Sequence, residues 1–267
     1  QDTSERDSAL QALQMLSEGN RALATSEHAD ELIGAICRVV VETGGHWFAW
    51  YGVAEEDAEK SVRPVAHAGR LVVDLDDLAL TWADTDRGQT STSRALRTGI
   101  TQVRSDYPAG APHEPWESAI REGGFRSSIS VPVRVRGRLH GALSVYSTEP
   151  GTFDTSVRDL LETLASDLGL GLTRFADDAR VRESEARYRL LAENSSDVVW
   201  QAHPHGTILW ASDSVRLVLG WLPEEIVGRD FDLVHPDDRE TTRSILRALT
   251  QVSGFMQRAR AMATRCC

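Results

Sequence analysis

The stretch that decides the fold runs from Ser127 to Ser147 and reads SSISVPVRVRGRLHGALSVYS. Apolar residues alternate with polar or small ones from Ile129 to Val135, and again from Leu139 to Tyr146. This period of two is typical of strands, because successive side chains of a strand point to opposite faces of the sheet. Arg-Gly-Arg at 136–138 separates the two runs as a short turn. The stretch therefore predicts an antiparallel β-hairpin.

Amphipathic helices are predicted on both sides of this hairpin, because apolar residues recur there at helical spacing. They are Leu10, Leu13, Leu16 and Leu23; then Leu32, Ile33, Ile36, Val39 and Val40; and, after the hairpin, Val157, Leu160, Leu161, Leu164 and Leu168. A second hairpin is predicted from HWFAWYGV at 46–53 and SVRPVAHAG at 61–69. A short helix is predicted from Ser91 to Arg97, closed by Gly99. Mixed helices and antiparallel strands indicate an α+β fold.

Composition limits the possible functions. The chain has 267 residues, of which 41% are apolar, enough for two domains of ordinary size. The formal net charge of −11 and the pI near 5.2 disfavour nucleic acid and anionic membranes as partners. The chain has no apolar run of membrane-spanning length and only three cysteines, so we expect a reducing, cytoplasmic setting. Because the chain does not start with Met, we expect it to be a piece of a longer protein.

The succession of elements from residue 8 to 174 resembles a GAF domain of bacterial sensor proteins. The resemblance lies in HWFAWYGVAEEDAEKSVRPVAHAG, LTWADTDRGQTSTSRALRTG, the hairpin quoted above and the closing FDTSVRDLLETLASDLGLGL. It implies an antiparallel sheet with helices on one face and a small-molecule pocket between the other face and the loops. The nearest subgroup occurs in cyclic-di-GMP signalling proteins and in sensor histidine kinases.

The closing helix is predicted to continue as a connecting signalling helix over 175–191, because residues 173–194 contain neither Gly nor Pro. Two seam rows, Leu168, Phe175 and Arg182 on one side and Leu172, Ala179 and Ala186 on the other, extend over about two heptads. A charged single helix and a two-chain coiled coil both fit this pattern. The family likeness favours the second, and with it a homodimer through the connecting helix.

A second domain, 192–267, resembles a PAS domain. The likeness covers the entry LLAENSSDVVW, the strand-turn-strand VVWQAHPHGTILWAS, PEEIVGRD and LVHPDDR. It implies two more long strands after SGFMQRARAM, so we expect this domain to be incomplete at its C-terminal end. The predicted fold class is therefore α+β, with two domains that are each an antiparallel sheet with helices packed on one face, joined by a long helix.

The resemblance to GAF domains implies a pocket, and the residues predicted to line it lie in LTWADTDRG and on the facing strands. They are Trp82, Asp84, Arg87, Ser127, Ser128 and Tyr146, with Asp86 as a further carboxylate. An indole, charges and hydroxyls together suit a small polar ligand with an aromatic face. The alternative is a solvated loop with one buried tryptophan.

In the second domain, Trp200, Trp210, Trp221 and Phe231 could line an apolar cavity or could be ordinary core. The PAS likeness disfavours heme, since no histidine follows His235, and it disfavours flavin, since the cysteine-containing segment is absent. The GAF likeness disfavours a bilin, which needs a cysteine in the middle loops. GAF proteins that reduce methionine sulfoxide need several loop cysteines, which are also missing. The cofactor and the ligand stay unknown.

No metal or catalytic site is predicted. In LVHPDDR, Pro236 at a first helical position and two aspartates in the first turn explain the group His235, Asp237 and Asp238 as a helix start. His203 and His205 in HPHG fit a surface turn. We expect a sensory region that passes a conformational change to a diguanylate cyclase or phosphodiesterase output domain. The alternatives are the sensory region of a histidine kinase, a dimerisation scaffold without ligand, and an enzyme acting through Asp84 and Asp86 or through His235 with Asp237.

Overall fold

The computed structural model describes residues 2–70, 75, 78–107, 124–193, 197–203, 207–229, 236–238, 240–241 and 257–258. The chain divides into two compact units, Gln1–Asp177 and Asp178–Cys267. No described helix is long and apolar enough to cross a membrane. Each unit contains its own antiparallel sheet, so the predicted α+β class with two small sheets is confirmed.

The first unit is built on a five-stranded antiparallel sheet. Its strands are β1 (Phe48–Ala54), β2 (Val62–Gly69), β3 (Gln102–Arg104), β4 (Ser127–Val135) and β5 (Arg138–Ser147). They lie in the order β2-β1-β5-β4-β3. Both predicted hairpins are present. β3 was not predicted, because three residues at a sheet edge are too few to show a period of two.

The described residues of this unit form four α-helices: α1 (Asp2–Thr25), α2 (Ala29–Arg38), α3 (Ser91–Thr98) and the start of the long helix α4 (Thr155–Glu193). A π-helical turn, Val39–Thr43, follows α2. The prediction of α3 is confirmed. Thr90 caps its start, accepting a hydrogen bond from the Ser93 amide at 2.9 Å, and Gly99 ends it in the left-handed region at φ 66°.

We call the sheet face that packs against α1, α2 and α4 the proximal face. Its core is almost entirely apolar, because the inward positions of the strands alternate with those of the opposite face. Members on the strands include Ala49, Ile129, Val131, Leu143 and Val145, and those on the helices include Met15, Leu32, Ile36, Leu161, Leu164 and Leu168. Leu143 and Leu161 are fully buried, so burial of apolar surface holds this layer together.

The long helix α4 has two different halves. Up to Leu172 its apolar side belongs to the proximal core, with Leu168 and Leu172 buried. From residue 178 to 191 every side chain is exposed, while the helix continues without a break to Glu193. The predicted seam is therefore divided: its upstream apolar members pack within the first unit, and Ala179, Arg182 and Ala186 lie at the surface.

The second unit contains a three-stranded antiparallel sheet in the order β7-β6-β8. Its elements are β6 (Val199–Ala202), β7 (Ile208–Ala211), α5 (Ser214–Leu219), α6 (Pro223–Ile226) and β8 (Gln257–Arg258). A small core of Val198, Ile208, Ala211, Val215 and Ile226 holds them together. Residues Pro236–Asp238 form a 3-10 turn at the place where a helix start was predicted, and His235 lies outside the described residues.

Candidate functional site

The second face of the five-stranded sheet, which we call the distal face, carries both apolar and hydroxyl side chains. Its apolar part joins Phe48, Trp50, Val62, Leu75, Leu80, Leu96, Phe125, Ala142 and Tyr146. The ring of Tyr146 lies 5.0 Å from that of Phe125 and 6.1 Å from that of Phe48. These three rings form an aromatic group at one end of the face, at distances typical of aromatic packing.

Three hydroxyls meet between α3 and the centre of the sheet. The Oγ1 atom of Thr92 lies 2.8 Å from the Oγ atom of Ser144 and 3.3 Å from that of Ser130. Ser130 and Ser144, a cross-strand pair of β4 and β5, are 2.9 Å apart through their Oγ atoms. None of the three is more than 1% exposed. We call Thr92, Ser130 and Ser144 the hydroxyl cluster; it holds α3 to the sheet by hydrogen bonds that water cannot replace.

A second pair of hydroxyls extends this polar strip toward the aromatic group. The Oγ atom of Ser128 lies 2.6 Å from the hydroxyl of Tyr107. Ser128 is the cross-strand partner of Tyr146, so both side chains share the distal face. The distal face thus has buried hydroxyl groups beside packed aromatic rings.

The loop between β2 and α3 is held by Arg97. Its Nη1 atom donates to the carbonyl oxygens of Gly88 at 2.9 Å, Ala83 at 3.2 Å and Trp82 at 3.4 Å. Ser93 adds a hydrogen bond from Oγ to the carbonyl of Thr81 at 2.6 Å. Because one guanidinium satisfies three carbonyls, the loop is closed onto α3 by the chain's own side chains.

The predicted pocket residues are distributed over different environments. Trp82 is half-buried and donates from Nε1 to the Glu55 carbonyl at 2.9 Å, with the Lys60 ammonium 4.4 Å from its ring centre. Asp84 is exposed and pairs with Arg97 at 3.5 Å. Arg87 is exposed and donates to the Leu78 carbonyl at 3.3 Å. The loop therefore points its charged side chains outward, as in the solvated-loop alternative.

The predicted pocket residues on the strands lie on two different faces of the sheet. Ser128 and Tyr146 lie together on the distal face, whereas Ser127 donates its hydroxyl to the Glu149 carbonyl at 2.6 Å. Adjacent residues of a strand point to opposite sides, so Ser127 and Ser128 cannot both line one pocket. Trp82 packs against the apolar part of the distal face, so the structure places three of the six predicted residues at this face. It adds Thr92, Ser130 and Ser144 to them.

Of the four aromatic residues predicted to line a cavity in the second unit, the three that the structure describes do not converge. Trp200 packs on the unit's core and is paired with Ala211, whereas Trp210 is paired with Gln201 and so lies on the other face of the sheet. Trp221 is 40% exposed, with the Arg229 guanidinium 5.4 Å from its ring centre. Phe231 lies outside the described residues.

The thiol of Cys37 is in the proximal core and is fully buried. Burial raises its pKa to about 12, so the thiol stays protonated and a poor nucleophile near neutral pH. Among the described residues, no three His, Cys, Asp or Glu side chains lie close enough to share a metal ion. Every buried side-chain nitrogen or oxygen in the described part of the chain has a hydrogen-bond partner.

The hydroxyl cluster and the role of Arg97 were not predicted from the sequence. The sequence did contain a pattern that indicates part of the cluster, because serines occupy the alternate positions 128 and 130 of β4 and position 144 of β5. The partner on α3 could not be read from the sequence. The role of Arg97 depends on the path of a loop that has no periodic pattern.

Comparison with known proteins agrees with these two units. The GAF domain family matches residues 26–173, and the PAS fold matches residues 186–258. No curated protein matches the sequence. The chain belongs to the GAF domain family, and a PAS domain follows the GAF domain.

Two solved structures illustrate the fold of the first unit. Free methionine-R-sulfoxide reductase from Neisseria meningitidis, in complex with its substrate, is 18% identical with a TM-score of 0.52, covering 65% of this chain and 93% of that one. The GAF domain of a phosphoenolpyruvate-protein phosphotransferase from Coxiella burnetii is 14% identical with a TM-score of 0.50, covering 63% and 98%. At these identities the likeness shows the fold alone. The GAF and PAS domains together give the chain a signal-sensing role.

Proposed function

We propose that the GAF domain binds a small polar ligand with a planar part at its distal face, and that occupancy changes the position or stability of α4. The observation that carries the proposal is the unbroken helix from Thr155 to Glu193, whose first half belongs to the proximal core. A ligand that prefers one arrangement of the sheet and α3 would shift the population of that arrangement. The helix would transmit the shift beyond the domain.

The proposed role is binding rather than catalysis. Cys37 is buried with a raised pKa, and Asp84 and Asp86 are exposed on the outside of their loop. These placements disfavour a nucleophile or paired carboxylates acting at the distal face. From the family likeness we propose a diguanylate cyclase or phosphodiesterase as the output that receives the signal, and a histidine kinase as the second choice.

Native mass spectrometry of the purified chain tests the ligand. We expect a small molecule to be carried through purification and to be lost from Ser128→Ala, which removes a hydroxyl on the distal face. Ser127→Ala is the matched control, because the Ser127 hydroxyl donates to the Glu149 carbonyl, away from the distal face. Hydrogen exchange of α4 should differ between the occupied and the solvent-extracted protein. Equal exchange in both states contradicts transmission through α4.

A dimerisation scaffold without ligand is the second candidate. It is supported by the hydroxyl cluster, whose members already satisfy each other, and by the contacts among Phe48, Phe125 and Tyr146. A face filled by its own side chains needs no ligand to be stable. Absence of any co-purified molecule, together with unchanged dimer assembly, would favour this candidate.

We also propose a homodimer through the exposed half of α4. Val181, Tyr188 and Leu191 are 57%, 54% and 64% exposed and recur at spacings of seven and three, as in a coiled-coil seam. They lie on another side of α4 from Arg182 and Ala186, so the proposed seam differs from the one predicted from the sequence. Sedimentation equilibrium should show a dimer that Tyr188→Glu with Leu191→Glu dissociates. Arg189→Glu, on a different side of the helix, should leave the dimer intact. A monomeric parent chain contradicts the proposal.

A further inference from the structure

The turn between β4 and β5 touches α4 just before the helix leaves the first unit. A Cβ atom at Gly169 would overlap the carbonyl oxygen of Arg134, so the two backbones are in direct contact there. The amide of Arg136 donates to the Thr173 hydroxyl at 3.1 Å. The guanidinium of Arg136 forms an ion pair with Asp177, one helical turn further along. We call Arg134, Arg136, Gly169, Thr173 and Asp177 the turn latch.

Each contact of the turn latch has a local cause. Arg136 and Gly137 have φ values of 52° and 76°, as expected for the central residues of a tight two-residue hairpin turn. This geometry presents the Arg136 amide outward. Thr173 accepts from that amide while donating its own hydroxyl to the Gly169 carbonyl at 2.8 Å. The turn is thus hydrogen-bonded to a side chain that is itself bonded to the helix backbone.

The same turn also reaches the end of α3. A Cβ atom at Gly99 would overlap the guanidinium of Arg134, which therefore lies against the C-terminus of that helix. A cation is favourable there, because the last carbonyls of a helix carry partial negative charge. Arg134 thus contacts α4 through its main chain and α3 through its side chain.

These contacts form a continuous series from the hydroxyl cluster to the end of the unit. Thr92 in the first turn of α3 bonds Ser130 and Ser144, and those serines lie on the two strands that the turn joins. Gly99 at the other end of α3 meets Arg134. Asp177 is the last residue of the first unit, and the exposed half of α4 begins directly after it.

We propose that the turn latch is the element that couples the hydroxyl cluster of the distal face to the exit of α4. The proposal rests on the proposed function in one respect, that α4 carries the signal. A rearrangement at the cluster tilts α3 and shifts the two strands, and the turn passes the displacement to Thr173 and Asp177. Physical coupling needs such an element with contacts at both sites.

Hydrogen exchange of the full chain, read by mass spectrometry over residues 169–182, tests the coupling without any ligand. Thr92→Val perturbs the cluster, and its control is Thr98→Val, whose hydroxyl lies outside the cluster, donating to the Arg94 carbonyl at 2.7 Å and accepting from the Ile100 amide at 3.3 Å. Thr173→Val with Asp177→Asn opens the latch. Its control is Thr163→Val with Asp159→Asn, two exposed positions of the same helix that precede Gly169.

Opening the latch is expected to speed exchange over 169–182 by about two- to fivefold, since its ion pair is largely exposed and contributes little. Thr92→Val is expected to change exchange over the same residues by at least about twofold, and that change should be lost when the latch is open. The two controls should leave exchange unchanged. If Thr92→Val does not fold, Ser144→Ala serves as the cluster variant.

The proposal is overturned if Thr92→Val changes exchange in α3 but not over 169–182, or if its effect there is the same with the latch open. These outcomes leave the proposed function standing, because a ligand could reach α4 by another route. Absence of a co-purified ligand bears on the proposed function alone, since no step of this experiment uses one.

Discussion

The two faces of the five-stranded sheet are built from alternate residues of the same strands, yet they differ in chemistry. On β4, Ile129 and Val131 enter the proximal core, while Ser128 and Ser130 face the distal side. On β5, Leu143 and Val145 alternate with Ser144 in the same way. One strand thus contributes to an apolar interior and to a hydrogen-bonded polar interior at once.

The apolar proximal face stabilises the domain, whereas the polar residues of the distal face could serve its function. Apolar burial needs only shape and volume, and the proximal face uses it throughout. A buried hydroxyl needs a partner with the right geometry, and replacing both partners by apolar groups can be neutral for stability. Because apolar groups could fill the same space, the hydroxyls at the centre of the distal face suit a role in recognition or coupling.

The largest effect is expected from adjacent substitutions on the two faces of β5. Leu143→Ala leaves a cavity in the proximal core and should lower the free energy of unfolding by about 2–5 kcal/mol. Ser144→Ala should cost only about 1 kcal/mol, because Thr92 and Ser130 can still bond each other. Urea-dependent hydrogen exchange of the β5 peptide measures both. Equal losses would remove the distinction between the faces.

A smaller effect is expected at two helical glycines of the proximal layer. Gly169→Ala places a methyl group against the Arg134 backbone and should destabilise the first unit by about 1–3 kcal/mol. Gly34→Ala is the control: its Cβ would lie 3.6 Å from the Arg38 guanidinium, in ordinary contact. Alanine has a higher helix propensity than glycine, so Gly34→Ala should stabilise the first unit by up to about 1 kcal/mol. Pulse proteolysis in urea compares the stability of the two variants. If both are destabilised, a methyl group at Gly34 does not fit in the space beside Arg38.

The loop over the distal face is expected to depend on Arg97. Arg97→Met removes the donor to the Trp82 and Gly88 carbonyls and one of two donors to the Ala83 carbonyl. It should cost about 1–2 kcal/mol, with faster hydrogen exchange over residues 81–90. Arg94→Met, at an exposed position of the same helix, should change stability by less than about 0.5 kcal/mol. Unchanged exchange in Arg97→Met would mean that the loop is held by other contacts.

The smallest effect concerns pH at the edge of the proximal core. His46 stacks on Phe153, and burial lowers its pKa from 6.5 to about 4. As the pH is lowered, His46 takes up a proton in the unfolded chain before it does so in the folded chain. The contribution of His46 to stability is therefore complete above pH 6.5 and is lost as the pH falls toward 4. Between pH 6.5 and 5.5 we expect a loss of about 1 kcal/mol. His46→Phe should remove this part of the pH dependence. If the slope of the unfolding free energy against pH is unchanged in this variant, other groups cause the dependence.

Much of the fold could be predicted, because its elements are long enough to show a period. The two hairpins, α3 with Gly99 and the long helix follow from local patterns and from helix-ending residues. β3 could not be predicted, because three residues carry no period. Where a helix start was expected, the described residues form a 3-10 turn at Pro236–Asp238 and are helical at 240–241, and a 3-10 turn is common at the start of a helix.

The candidate site was less predictable. Ser128 and Tyr146 were predicted and lie side by side, because strand register follows from the alternation in the hairpin. Asp84 and Arg87 were predicted as ligand contacts and point outward, since nothing in an aperiodic loop indicates the direction of a side chain. The partner of Ser130 and Ser144, Thr92, is 38 residues away from the first of them in sequence.

The sequence by itself determined the α+β class, the order of the elements, the two antiparallel hairpins and the continuity of the long helix. These depend on periodicity and on single residues that begin or end an element, which act locally. Only the tertiary structure decided which hydroxyls meet, that Arg97 closes the loop, and that the β4–β5 turn contacts α4 at Gly169 and Asp177. Such contacts join residues far apart in the chain, and their geometry is set by packing of the whole domain.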